Sequence, residues 1–281
     1  MALDFSEPFT ERTPRVVNAA KLHRAAARRK ANQFLVEGEN AVEAAVATGA
    51  ATDIFVTEEA ADRFADVVTT AGYMDVYTHA INDKAAAALS DTVSTTGIFA
   101  VCKPVTWTVG QVLKGRTNFV AVGVETNDPG NAGTLIRIAD AVGADGVIFA
   151  GDTVDPQSGK AVRASAGSIF HTPVARDRDV KGVIGQLKAA GLKIVATTMD
   201  GEVGLDQAEG ILAQPTAWLF GNEAHGLDDD IASNADYRVS IPIHGSAESL
   251  NMATAAAMCL WESSKAHYEP EDETDQGPAE S

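Results

Sequence analysis

At 281 residues, 45% of them hydrophobic, the chain can form one large or two ordinary globular domains, and no apolar run is long enough to cross a bilayer. Two distant cysteines, Cys102 and Cys259, and six histidines without HxxxH or HExxH spacing exclude a disulfide framework and a zinc signature. A formal charge of −17 argues by itself against a nucleic-acid partner, because phosphate binding rests on positive potential.

The start, "MALDFSEPFTERTP", lacks a signal-peptide core, so a reduced, cytoplasmic protein without a bound metal is expected. Charge then separates along the chain. Arg12 to Lys30 is basic, carrying Arg24, Arg28, Arg29 and Lys30 at its end, with no acid between Glu11 and Glu37. That segment is either a solvated helix face or a patch for an anionic partner. The last residues, 269–281, are acidic and rich in helix breakers, and are expected to form a disordered tail.

Short strand patterns alternate with helical ones from "QFLVEG" through "TDIFVT" and "DVYTH" to "TGIFAVC". This predicts a small α/β unit over 1–103. "KPVTWTVGQVLKGRTN" has weak periodicity, and a linker is expected over 104–117. A second α/β unit follows over 118–268, with strand candidates at 119–125, 146–151, 172–176, 192–198, 217–221 and 238–243, and a closing helix near 250–267. Such alternation implies a mostly parallel sheet covered on both faces, whose ligand lies beyond the carboxyl ends of the strands.

Three polar motifs fall at those ends. "TNDPGNAGTLIRIAD" (126–140) follows the first strand but lacks GxGxxG, so a nicotinamide dinucleotide site is a weak match. Within it Asn131 reads as a helix N-cap, and Arg137 as a surface arginine paired with Asp140 or Asp145. "WLFGNEAHGLDDDI" (218–231) places Gly221 where a flat ligand could lie against bare backbone. Its Glu223, between glycines at a strand end, is harder to explain as a solvated face. "SIPIHGSAESLNMATAAAM" (240–258) sets polar residues at the mouth of an apolar helix, with Ser249 as the candidate cap.

Together "NDPGNAGTLIRIADAVGADGVIF", "LFGNEAHGL" and "IPIHGSAESLNMATAAA" resemble the three motifs of the SpoU branch of the SPOUT superfamily, RNA ribose 2′-O-methyltransferases that use S-adenosylmethionine. "FLVEGENAVEAA" and "LSDTVSTTGIFAV" are more loosely similar to the family's L30e/L7Ae-like substrate domain. The resemblance implies a parallel sheet with a deep trefoil knot and a homodimer. It implies that Thr197, Gly221, Ile241 and Leu250 hold the cofactor, and that Asn131, Arg137, Glu223, Ser249 and Asn251 form the polar active site. Ribosomal RNA is the favoured substrate because of the extra domain, with Arg24, Arg28 and Arg29 as phosphate contacts. Transfer RNA as substrate, and a non-catalytic RNA-binding ribosome-assembly factor, are the alternatives.

Overall fold

The computed structural model describes residues 3–268, so the expected acidic tail lies outside the described residues. Two sheets form the molecule. In the smaller, β1 (Phe34–Glu37), β2 (Ala51–Val56), β3 (Tyr77–Ala80) and β4 (Ile98–Cys102) run in the order β1-β4-β2-β3. Only β2 and β3 pair parallel; β4 is antiparallel to both its neighbours.

The larger sheet contains β5 (Thr106–Trp107), β6 (Phe119–Val124), β7 (Val147–Ala150), β8 (Val174–Asp177), β9 (Lys193–Thr197), β10 (Val203–Gly204), β11 (Thr216–Phe220) and β12 (Tyr237–Ser240). Its order is β10-β12-β9-β11-β6-β7-β8-β5, and every pairing is parallel. The segment expected as a linker is therefore partly structural. Thr106–Trp107 becomes the edge strand beside β8, and Thr108 and Gln111 close a capping box on the short helix Val109–Val112.

Side chains alternate across the larger sheet with period two. Phe119, Ala121, Trp218 and Phe220 enter one apolar core, whereas Val120, Val122, Ala217 and Leu219 enter another on the opposite face. The first core is shared with one face of the smaller sheet, including Phe34, Val36 and Ile54. Phe34 stacks on Phe170 with ring centroids 5.9 Å apart, so the two sheets meet through continuous apolar contact. A third core, built from Val16, Leu22, Leu35 and Phe99, covers the small sheet's other face.

Two helices on the shared core bear on function. Pro129–Ala141 begins at the end of β6, and Met252–His267 packs against it. Trp218 Nε1 donates to Ser263 Oγ at 2.7 Å and fixes the second helix to β11. Gly133 is required here, since a Cβ on it would lie 2.1 Å from the carbonyl oxygen of Ala161 in the neighbouring helix Gly159–Ser165. No helix among the described residues is long and apolar enough to cross a membrane.

Candidate active site

Parallel pairing puts the carboxyl ends of β6, β11, β9 and β12 side by side. The three motifs leave the sheet at these ends. After β6, Glu125 adopts φ 51°, and the chain turns through Thr126 and Asn127 to Asp128. Asp128 is the N-cap of Pro129–Ala141, its Oδ1 accepting from the Asn131 amide at 2.9 Å. Asn131 is thus not the cap, and its side chain is free for other work. Lys160 donates to the other oxygen of Asp128 at 2.9 Å, and this bond, with the Asn131 amide, holds the Asp128 carboxyl below the usual range.

Glu223 organises the centre. It accepts from the backbone amides of Asn127 and Asp128, each at 3.2 Å, and from Asn131 Nδ2 at 3.1 Å. Partial burial pushes its pKa up. Its own backbone amide, the Asn131 side chain and the amides of Asn127 and Asp128 outweigh that, and the carboxyl lies below the usual glutamate range. On the other side of Asn131, its Oδ1 accepts from Asn251 Nδ2 at 3.0 Å. Asn251 Oδ1 in turn caps the last helix, accepting from Ala253 and Thr254 amides at 2.9 and 3.2 Å. Asn251, rather than Ser249, is the cap; Ser249 is exposed in the loop before it.

Each asparagine amide has two N–H donors and commits one of them within this chain. Among the described residues, the Asn131–Asn251 pair therefore retains one N–H on each residue for an oxygen-bearing ligand. Arg137 does not join them. It lies on the same helix as Asn131, about 9 Å farther along and roughly 120° around the axis. Its side chain is exposed and makes no hydrogen bond or ion pair among the described residues. The expected surface partners are occupied: Asp140 contacts His171, and Asp145 accepts from the amides of Asn118 and Phe119.

The other strand ends carry the expected cofactor residues. Thr197 ends β9, but its hydroxyl donates to Leu219 O at 2.8 Å and so ties β9 to β11. Its neighbour Thr198, which sequence reasoning missed, has a buried hydroxyl with no partner among the described residues. Gly221 is explained differently from expectation. A Cβ there would meet the Gly226 carbonyl carbon at 2.2 Å and the Leu227 nitrogen at 2.4 Å, so the chain's own turn, not a ligand, fills that space. Asn222, also missed, is buried and bridges two motifs, donating to Glu125 O at 2.7 Å. Its place between Gly221 and Glu223 was the available signal.

Ile241 and Leu250 are both half-buried and bound a segment, 241–250, that makes no backbone–backbone hydrogen bond among the described residues. S-adenosylmethionine suits this corner. Free backbone groups can read an adenine edge, Ile241 and Leu250 offer apolar walls, and the Thr198 hydroxyl lacks a partner among the described residues.

The basic segment divides. Arg24 and Arg29 are exposed, but Arg28 is buried and bonded to Asp155, so it is not available to a phosphate. The reason is packing: Arg28 occupies the face of Ala25–Ala31 turned toward the larger sheet's loops.

Residues 118–261 match the SpoU rRNA Methylase family. The chain belongs to that family. Residues 13–100 match the MRM3-like substrate binding domain. Among SpoU relatives, the chain is 34% identical over 242 residues to the 23S rRNA (guanosine(2553)-2′-O)-methyltransferase RlmP of Bacillus subtilis, covering 86% of this chain and 92% of that protein. A 23S rRNA (uridine(2479)-2′-O)-methyltransferase of Streptomyces viridochromogenes is 43% identical over 137 residues, 48% of each chain. The AdoMet-bound rRNA methyltransferase from Sinorhizobium meliloti superposes with a TM-score of 0.81 at 28% identity, covering 94% of this chain and 99% of that one.

Proposed function

We propose that the protein transfers a methyl group from S-adenosylmethionine to a ribose 2′-hydroxyl of ribosomal RNA. The observation that carries this reading is the Asn131–Glu223–Asn251 node beside the unpaired backbone of 241–250, in a chain of the SpoU family. Similarity along most of the chain to an enzyme named for 23S rRNA favours ribosomal over transfer RNA.

Bound S-adenosylmethionine supplies an electrophilic sulfonium methyl. The chain's residues must align the 2′-oxygen with it and ease loss of the hydroxyl proton; alignment alone is worth roughly 7–11 kcal/mol. Asn131 and Asn251 direct their remaining N–H donors at the ribose or its phosphate. Glu223, held ionised by several donors, is too weak a base to take the proton and acts by orienting Asn131. Arg137, with its guanidinium donors, stabilises developing negative charge on the 2′-oxygen or grips the adjacent phosphate. Ser249 positions the substrate from the exposed loop. Ile241, Leu250 and the backbone after Gly221 hold the adenosine, with Thr197 placing that backbone and Thr198 offering its hydroxyl.

Arg24 and Arg29 are the phosphate contacts of the smaller domain. The reading includes a trefoil knot and a homodimer in the cytoplasm. The insertion of β12 between β10 and β9, followed by a helix that packs back on Pro129–Ala141, supports the knot. Met258 and Trp261, 42% and 56% exposed on the last helix, offer apolar surface to a second copy.

The test is transfer of labelled methyl from S-adenosylmethionine to unmodified ribosomal and transfer RNA, with Arg137→Ala alongside, followed by nucleoside digestion. Label in a 2′-O-methylnucleoside of ribosomal RNA, lost in the variant, is expected. Label on a base, or in transfer RNA only, overturns the assignment.

A further inference from the structure

Arg28 is buried at the junction of the two sheets, with a side chain 8% exposed. Its Nε and Nη2 both donate to Asp155 Oδ2, at 3.0 and 2.6 Å, and its Nη1 donates to Leu22 O and His23 O at 3.0 and 2.9 Å. Four donors of one guanidinium are thereby spent inside the protein. Asp155 belongs to the loop after β7, where its Oδ1 accepts from the Gln157 amide at 2.9 Å. Gln157 is itself buried, and its Oε1 accepts from the amide of Val105, in the connection between the sheets. One residue before Asp155, the Val154 amide donates to Thr126 O at 2.9 Å. Thr126 leads directly into Asn127 and Asp128, whose amides hold Glu223.

An unbroken path of bonds thus joins the basic helix Ala25–Ala31 to the candidate active site. Burying an ion pair is a costly way to gain stability, and its better-attested use is to fix one register between parts. The planar fork of arginine suits that use, since it defines direction as well as distance.

We infer that Arg28 and Asp155 are positioning residues that fix the substrate domain against the catalytic loop, so that RNA held at Arg24 and Arg29 presents one nucleotide to the site. The inference rests on the methyltransferase reading above. It makes the Arg28–Asp155 contact a determinant of which nucleotide is methylated.

The experiment compares Arg28→Ala, Asp155→Ala, the double variant, Arg28→Lys and the shape-conserving Asp155→Asn. Readouts are RNA affinity against salt, S-adenosylmethionine affinity, kcat and KM, the methylated nucleotide, and hydrogen exchange of 126–128 and 151–157. Both alanine variants should keep cofactor affinity and hold RNA affinity within about 3-fold, while kcat falls about 100-fold or methyl appears on neighbouring nucleotides. The double variant should be no worse than either single one, because both remove the same link. Arg28→Lys should not restore kcat, lacking the fork.

An unchanged kcat and target in both Asp155 variants would overturn the inference. So would a drop in RNA affinity of Arg28→Ala alone, with a salt slope smaller by about one, which marks a direct phosphate contact. Should Arg28→Ala not fold, the Asp155→Asn and Arg28→Lys arms decide on the same readouts. If the unaltered protein methylates no RNA, the proposed function fails separately. Exchange at the Val154 amide still reports the clasp, which is refuted if protection is the same in every variant.

Discussion

Asn251 donates its side-chain amide to Asn131 across 120 residues of sequence, while its oxygen caps the helix that follows it. One side chain therefore serves helix stability and site geometry through opposite ends of the same amide. The two roles separate by substitution. Asn251→Asp keeps the capping oxygen and loses the donor; it should fold close to normally, while methyl transfer falls about 100-fold. Asn251→Ala should lose the same activity and also about 1 kcal/mol of stability. Thermal unfolding beside single-turnover rates distinguishes these outcomes, and an active Asn251→Asp would remove the donor from the mechanism.

Glu223 supplies the second prediction. Glu223→Ala leaves two backbone amides and Asn131 Nδ2 without their acceptor, and kcat should fall more than cofactor affinity. The pH behaviour follows from the depressed pKa. The native carboxyl binds its proton less readily than the unfolded one, so its stabilising effect is complete above the ordinary glutamate pKa of about 4.3 and is lost as pH falls through the lower native value. No step in the rate profile between pH 6 and 9 should disappear in Glu223→Gln. A neutral-range step that vanishes in that variant would make Glu223 the base.

Gly221→Ala tests what the glycine is for. The added methyl would press on the Gly226–Leu227 backbone, which cannot move aside as a side chain could. Destabilisation of about 1–3 kcal/mol is expected, measured by denaturant unfolding without cofactor. Normal apo stability with only weakened cofactor binding would restore the reading in which the bare backbone faces a ligand.

Arg24→Gln with Arg29→Gln should weaken RNA binding and reduce its salt slope by about 0.7–0.9 for each phosphate no longer neutralised. Cofactor affinity should not change. Titrations at several salt concentrations check this, and an unaltered slope would place the RNA elsewhere.

The strands and the three motif positions were legible because buried parallel strands are continuous apolar runs and turns carry their own residue types. Glu223 was visible as a charge with no good surface explanation. The backbone amides of Asn127 and Asp128 that also hold it were not, since they come from a separate strand end. Capping residues were misassigned by position: Asp128 and Asn251, rather than Asn131 and Ser249, accept the first helical amides. The charge pattern made Arg28 look like its neighbours. Only the placement of Asp155, 127 residues away, shows that it faces inward. Thr106–Trp107 went unread as a strand because two residues carry no periodicity.

The parallel order of the larger sheet also constrains when this enzyme can exist. Strand β6 is flanked by β11, which follows it by nearly a hundred residues, and β9 cannot gain its outer neighbour until β12 has been made. Partners so far apart in sequence are slow to find one another and exposed while they search. During synthesis, Asn131 and Glu223 wait for the last helix to emerge before Asn251 can join them. On the proposed reading, catalytic competence is thus withheld from the nascent chain, and a late failure in folding would leave the smaller domain attached to an inert one.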